Sequence, residues 1–263
     1  MIPIKSESEI ALMRDVCQIA ANVLESLCRI VAPGINTYDL DQEGKRLLAQ
    51  YGARSACFGY RIGNNIFPSH TCLSVNEEVV HGIGRLARVL KEGDLISVDV
   101  CVEYGGFIGD NARTVGVGAI KTELAQLLER TEKSLHQGIA CALSGNKVGA
   151  ISNAIESALR PYRYGIIRDF VGHGVGRSIH EPPHVPNFGS RFAGPRLRPG
   201  MTLAIEPMVA LGTGKVRILE DGWTAVTADQ KPSAHFEHTV LVTTGQPEIL
   251  TLSNLNGVSG LNA

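Results

Sequence analysis

Several features that would settle the class of this chain at a glance are missing. Its six cysteines (Cys17, Cys28, Cys57, Cys72, Cys101 and Cys141) form no C-x-x-C pair. That argues against a zinc ribbon and a small disulfide scaffold, and makes reduced thiols in a cytosol the simpler reading. Neither charge is in excess: 25 Lys and Arg stand against 26 Asp and Glu, for a net charge of -1. Nothing is left over to neutralise phosphates or seek anionic lipid, so no specific nucleic acid and no membrane is expected as a partner. No apolar run is long enough to cross a bilayer, and Glu7 and Glu9 arrive before any signal-like stretch. A Gly-rich phosphate loop is absent, as is a G-x-S-x-G elbow that would supply a serine nucleophile. What remains is a cytoplasmic globular protein, its 263 residues and 44% apolar content sufficient for a large core.

Four helices and a set of strands are predicted. Ser6 and Glu9 make a capping box, after which Ile10, Met13, Cys17, Ala20, Leu24, Leu27 and Val31 recur every three or four residues until Pro33-Gly34. A second helix is predicted from Thr37 as N-cap, with Leu40, Leu47, Leu48 and Tyr51 facing inward and Gly52 as its stop. Further helical patterns run from Leu124 to Ile139 and from Ile151 to Leu159, the last closed by Pro161. Residues 95–102, 202–206 and 235–242 are rich in β-branched side chains and read as strands. Because helices and strands come in blocks, the expected class is α+β, with helices backing a largely antiparallel sheet.

An internal repeat is visible at an offset of 107, which sets the segment Leu90 to Asp99 against Leu197 to Glu206. Each copy is a Leu, a cation, a Gly turn and an apolar strand ending on a carboxylate. Strand-and-turn grammar alone gives some resemblance of this kind. A true repeat would mean two related halves, each delivering an acid to one sheet. No linker divides the chain, so residues 1–263 are expected to form a single catalytic domain of two pseudo-symmetric halves, with the boundary near 145–165.

The acids carry the functional argument. With Gly105-Gly106 as a two-residue turn, residue 101 lies opposite 110, so Asp99 and Asp110 share a face as diagonal neighbours. As an isolated pair they would read as exposed acids on a solvated sheet face. Glu206 and Glu237, however, sit in equally apolar strands, and no Lys or Arg stands beside any of the four along the chain. Their combined charge matches two divalent cations, and oxygen donors with an imidazole suit Mn, Fe or Co better than a structural zinc. His81, His173 and His180 are the candidate partners, although each alone fits a hydrogen-bonded structural role equally well. His70, His136, His184 and His238 are read as structural. The sequence His180-Glu181-Pro182-Pro183-His184 formally matches H-E-x-x-H, but two prolines forbid the helix that this zinc motif needs.

The ordered set Asp99, Asp110, His173, Glu206 and Glu237 resembles the metal ligands of the type I methionine aminopeptidases, enzymes of the pita-bread fold. The motifs Gly172-His173-Gly174-Val175-Gly176, Glu206-Pro207-Met208 and Phe236-Glu237-His238-Thr239 carry the likeness, which spans nearly the whole chain. The step of 26 positions from His180 to Glu206 leaves no room for the type II insertion. The resemblance implies that two divalent ions (Co, Mn or Fe) are held by Asp99 on one side and by His173 and Glu206 on the other, with Asp110 and Glu237 bridging. It implies catalytic parts for His81, His180 and Glu206, the two histidines contacting substrate, and a methionine pocket of Cys57, Tyr60, Phe67, Cys72 and Trp223. It also implies a monovalent cation near Asn76, Glu78 and Ser233. The activity implied is removal of N-terminal methionine from nascent or newly made polypeptides, preferring a small second residue, by a monomer in transient contact with the ribosome. The alternatives are an Xaa-Pro aminopeptidase or dipeptidase of the same fold, and a non-catalytic binding module. Two departures touch the pocket: Ile179 stands where many members have phenylalanine, and the segment from Arg61 to Ile66 is longer than usual.

Overall fold

Helix α1 (Glu7–Ile30) starts as its capping box requires: Ser6 Oγ accepts from the Glu9 N–H at 3.3 Å, and the Glu9 carboxylate accepts from the Ser6 N–H at 2.9 Å. The computed structural model describes residues 1–255. Met13, Cys17, Ala20, Leu24 and Leu27 form the buried stripe of α1, which lies on a long hairpin made of strands Leu95–Tyr104 and Phe107–Gly116. Contact is close at Gly109, where a Cβ would stand 2.9 Å from the backbone of Cys17.

Helix α2 (Thr37–Gln50) stops before Gly52 as expected, where φ is 64°, but departs from expectation at its N-cap and on its inward face. Its N-cap is Asn36, whose side chain accepts from the Asp39 N–H at 2.9 Å; the Thr37 hydroxyl is instead engaged by the backbone of Arg85. Tyr51 is the exposed C-cap residue and Leu47 is only partly buried. The inward stripe runs through Leu40, Asp41, Gly44 and Leu48. Asp41, unremarked in the sequence, is buried and accepts from the N–H of His70 at 2.7 Å, the N–H of Thr71 at 2.8 Å and the Thr71 hydroxyl at 3.0 Å. It pins the segment that leads into strand Cys72–Val75.

Every strand pairing among the described residues is antiparallel. The long hairpin turns on Gly105 and Gly106, with φ of 60° and 77°, the two left-handed residues of a type I′ turn. Its register is the expected one, Tyr104 opposite Phe107 and Cys101 opposite Asp110. Strand Cys72–Val75 flanks it, with Cys72 opposite Asp99. Helices α3 (Thr122–Ala140) and α4 (Val148–Leu159) share a second core with strand Thr202–Ile205 and its neighbours.

The strand expected over residues 235–242 is interrupted. Ser233–His235 and His238–Leu241 are separate strands, because the Glu237 N–H leaves the ladder and donates to Ala112 O of the first hairpin at 2.8 Å. The partner strand breaks at the same level, after Ile205, where Pro207 has no N–H to give. Register is nevertheless continuous across the gap: Ile205 faces His238 and Met208 faces His235, so Glu206 and Glu237 stand opposite each other.

Three outcomes test these packing statements. Gly109→Ala is expected to lower stability by about 1–3 kcal/mol in denaturant melts, the usual cost of overpacking. Asp41→Leu strands buried N–H donors at roughly 1–3 kcal/mol each. Burial pushes the Glu25 carboxyl up, but Arg113 at 2.5 Å and Arg29 at 2.9 Å outweigh it and hold it below the usual glutamate range. A depressed pKa stabilises the fold above the unfolded value, so the deficit of Glu25→Gln seen at neutral pH should shrink as pH falls below 4.5.

Candidate active site

The two ribbons meet edge on, and the acids lie at the seam. Thr239 Oγ1 donates to Asp110 O at 2.7 Å, while Thr114 Oγ1 donates to His235 O at 2.9 Å and accepts from the His235 N–H at 2.8 Å. These bonds, with that of Glu237 to Ala112, fix the hairpin carrying Asp99 and Asp110 against the ribbon carrying Glu206 and Glu237. The third element is the short strand Gly172–Gly174, paired with Thr202–Ile205 so that His173 faces Ala204. Gly172 allows that approach, since a Cβ there would lie 2.4 Å from Ala204 O, and Gly174 allows the pairing on the other side, where a Cβ would lie 2.4 Å from Pro182 O.

All five side chains converge. Donor atoms of Asp110, His173 and Glu237 lie within 4.8 Å of one another, as do those of Asp99, Cys101 and Asp110, so Asp110 belongs to both groups. His173 Nε2 is 3.3 Å from Glu206 Oε1 and 3.9 Å from Asp110 Oδ2. Its Nδ1 lies 2.9 Å from Gly174 O, which fixes Nδ1 as the protonated nitrogen and turns Nε2 toward the acids.

Charge is the dominant feature. Burial, and then the charge of Asp110, pushes Asp99 well above the usual carboxylate range; burial with the charges of Asp110 and Glu206 does the same to Glu237. Burial raises Asp110 to about 6 against the opposing pull of His173. Glu206 is the exception, since the imidazoles of His173 and His235 beside it outweigh burial and bring it down to about 2. Among the described residues no Lys or Arg pairs with any of the four acids, and Glu237 Oε1 is buried without a hydrogen-bond partner. Buried oxygens in this number, with imidazole nitrogen alongside, fit two divalent cations.

The remaining sequence candidates border the same pocket. Cys57, Tyr60, Phe67, Cys72 and Trp223 all line it, as do His81 and His180. Phe67 and Trp223 meet edge to face at 5.3 Å, and the Asp221 carboxylate holds the Trp223 and Thr224 N–H groups, each at 2.8 Å. Tyr60 Oη is 2.9 Å from His180 Nδ1, and the His180 ring packs against that of His173 at 4.5 Å. Burial and the charge of His173 lower His180 to about 4; burial lowers His81 too. Ile179 lines the pocket, and the Arg61–Ile66 segment is a small hairpin that brings Ile62 to the rim and Asn65 beside Gly222. Away from this site, Ser233 Oγ lies 3.3 Å from Asn76 O and 3.2 Å from Glu78 O. His184, the second histidine of the false zinc motif, is exposed on strand Glu181–Val185.

Two site residues escaped the sequence reading. Cys101 Sγ is 2.9 Å from Asp110 Oδ1, and His235, itself buried, brings Nε2 to 3.3 Å from Glu206 Oε2. Both carried a signal, each being two residues from an acid along a strand pattern and hence on its face.

The profile of Metallopeptidase family M24 matches residues 11–244. The chain belongs to this family. Within M24 it is a methionine aminopeptidase of type I. It is 46% identical to the methionine aminopeptidase of Clostridium perfringens over 252 residues, covering 96% of this chain and 99% of that one. Methionine aminopeptidase 1 of Bacillus subtilis is 44% identical over 251 residues, covering 95% of this chain and 99% of that one. The crystal structure of the methionine aminopeptidase from Thermotoga maritima superposes with a TM-score of 0.92 at 41% identity, over 96% of this chain and 100% of the other. The architecture is therefore the pita-bread fold. A prolidase from Pyrococcus horikoshii shares that fold alone, at 22% identity and a TM-score of 0.76, and this chain covers 64% of its length. Membership of the M24 peptidases makes this chain a metal-dependent peptidase.

Because buried acids above their ordinary pKa cost stability at neutral pH when no cation is bound, Glu237→Gln is expected to melt higher than the wild type in chelator. Adding Mn²⁺ should reverse that order, since ligand at 1,000 times its Kd stabilises by about 4 kcal/mol. Thermal melts with and without chelator check this; a wild type indifferent to Mn²⁺ would contradict the site.

Proposed function

We propose that this chain hydrolyses the bond after an N-terminal methionine, preferring a small second residue, and that it acts on nascent chains as a cytoplasmic monomer in passing contact with the ribosome. The observation that carries the reading is a single pocket in which the carboxylate–imidazole cluster opens directly onto a recess of soft and aromatic side chains, Cys57, Tyr60, Phe67, Cys72 and Trp223. Sulfur and aromatic edges suit a thioether.

In this reading Asp99, Asp110, His173, Glu206 and Glu237 would hold two divalent ions; Co, Mn or Fe fits these donors. When bound, such a pair supplies Lewis acidity, bringing the pKa of water toward neutrality and polarising a carbonyl. Glu206, kept ionised by its two imidazole neighbours, takes the proton of the attacking water and passes it to the leaving nitrogen. His235 acts on Glu206 as a positioning residue, steadying the carboxylate oxygen that His173 does not reach. His180, neutral because of its burial and of His173, is assigned the tautomer in which Nδ1 accepts a hydrogen bond from the Tyr60 hydroxyl and Nε2–H is left for the developing oxyanion. His81, also held neutral, assists the amide nitrogen. Asn76, Glu78 and Ser233, whose oxygens converge, are assigned to a monovalent cation.

The test compares hydrolysis of Met-Ala-Ser with that of Xaa-Pro peptides, with and without chelator, in parallel with quantification of bound metal. Release of methionine, abolished by chelator and restored by Mn²⁺, Co²⁺ or Fe²⁺, is expected. Glu206→Ala and His173→Ala should lose nearly all turnover, on the order of 10²–10⁴-fold for the proton-transfer role alone. Preference for Xaa-Pro peptides, or near-full activity of either variant with intact metal content, would overturn the assignment.

A further inference from the structure

His180 ends a loop, residues 175–180, that joins the strand bearing His173 to strand Glu181–Val185, and Glu181 faces Gly174 across that pair. The backbone of the loop turns onto one carboxylate: Glu181 Oε1 accepts from the Arg177 N–H at 2.8 Å and from the Ser178 N–H at 3.4 Å. The other oxygen, Oε2, meets Lys5 Nζ at 2.6 Å, in a pair whose side chains are 4% and 9% exposed. Lys5 comes from the far end of the chain, where its own N–H donates to Gly200 O at 2.8 Å. Gly176 makes the fit possible, since a Cβ there would stand 2.6 Å from Lys5 Cε and 2.8 Å from Glu181 Oε1. From the hairpin side, the Ile108 N–H donates to Gly176 O at 2.7 Å.

The loop has a second ion pair, Arg177 with Glu9 at 3.0 Å, but the Arg177 side chain is 65% exposed and the pair is of the weak surface kind. Lys5 and Glu181 are different. Taking both charges out of water is costly, and for stability alone two apolar side chains of similar volume serve as well. Apolar side chains cannot accept the two N–H groups that lie just ahead of His180. A group that acts on a transition state needs its supporting backbone held in this way.

We propose that Lys5 and Glu181 are positioning residues for His180. The ammonium orients the Glu181 carboxylate, the carboxylate holds the Arg177 and Ser178 N–H groups, and the loop so fixed sets the imidazole in the pocket wall, with Nδ1 at 2.9 Å from Tyr60 Oη. Neither Lys5 nor Glu181 lines the pocket, so both act through His180. The catalytic consequence, a fixed place for the group assigned to the developing oxyanion, rests on the function proposed above; the positioning does not.

The experiment compares the full chain with Lys5→Met and with Lys5→Met/Glu181→Met. Lys5→Met leaves a buried carboxylate without its cation and should lower the thermal midpoint; the double variant, with an apolar pair in place of the ionic one, should recover most of that loss. In both, kcat for Met-Ala-Ser with Mn²⁺ should fall on the order of 10- to 100-fold, as for a misplaced catalytic group, with KM unchanged. Recovery of kcat together with the thermal midpoint in the double variant overturns the proposal, because the pair would then serve stability alone. In a His180→Ala background Lys5→Met should cost little further turnover, and an equal loss in both backgrounds also overturns it. Imidazole NMR signals recorded in chelator report the place of His180 whatever the substrate: they should move in both variants while those of His81 stay. Unmoved His180 signals overturn the positioning. Moved signals in a protein whose wild type releases no methionine uphold the positioning and place the error in the proposed function.

Discussion

Like charges held out of water repel strongly: two carboxylates 4 Å apart at an effective dielectric of 20 oppose each other by about 4 kcal/mol. Three further acids packed around Asp110 multiply that cost, and among the described residues the imidazoles of His173 and His235 and the thiol of Cys101 are set against it. The cluster is compatible with a folded state because divalent cations can supply the missing positive charge. Asp99, Asp110 and Glu237 resist ionisation on the protein's own account while Glu206 does not, so the four carboxylates are unequal before any substrate arrives.

That crowding is imposed by two antiparallel ribbons with different ways of presenting a pair of acids. In the hairpin the pair is diagonal, Asp99 facing Ala112 and Asp110 facing Cys101, and both acids lie on an unbroken ladder. In the second ribbon Glu206 and Glu237 are directly opposed at a level where both strands leave the ladder. The break frees backbone groups, and the Glu237 N–H uses its freedom to dock on Ala112, so the irregularity is also the joint between the ribbons. The segments related by the 107-residue offset are built alike at their entry, with Gly93 and Gly200 at φ of 88° and 86°.

Patterns of short range were legible in the sequence. The α1 stripe, the glycine turn and the register it dictates, and the acid-bearing strands follow from periodicities of 3.6 and 2 that no distant contact overrides. Cases decided by a partner far along the chain were not. Thr37 looks like an N-cap, yet Asn36 takes the role because the Thr37 hydroxyl is needed by Arg85. Asp41 went unremarked because its partners, His70 and Thr71, lie 29 and 30 residues further on. Residues 235–242 read as one strand because nothing local announces that Glu237 will bond to Ala112. Of the site, the residues Asp99, Asp110, His173, Glu206 and Glu237 that converge were legible through their ordered motifs; Cys101 and His235 required attention to the faces of strands already identified.

The joint at Glu237 also sets an order of events during biosynthesis. The hairpin and α1 leave the ribosome first and can pair locally, whereas Glu206 and Glu237 follow Asp110 by 96 and 127 positions (206 − 110 and 237 − 110). Until then Asp99 and Asp110 have neither Glu206 nor Glu237 beside them. A partly translated chain therefore has no means of processing its neighbours or itself, and competence arrives as a single late step in the life of each molecule.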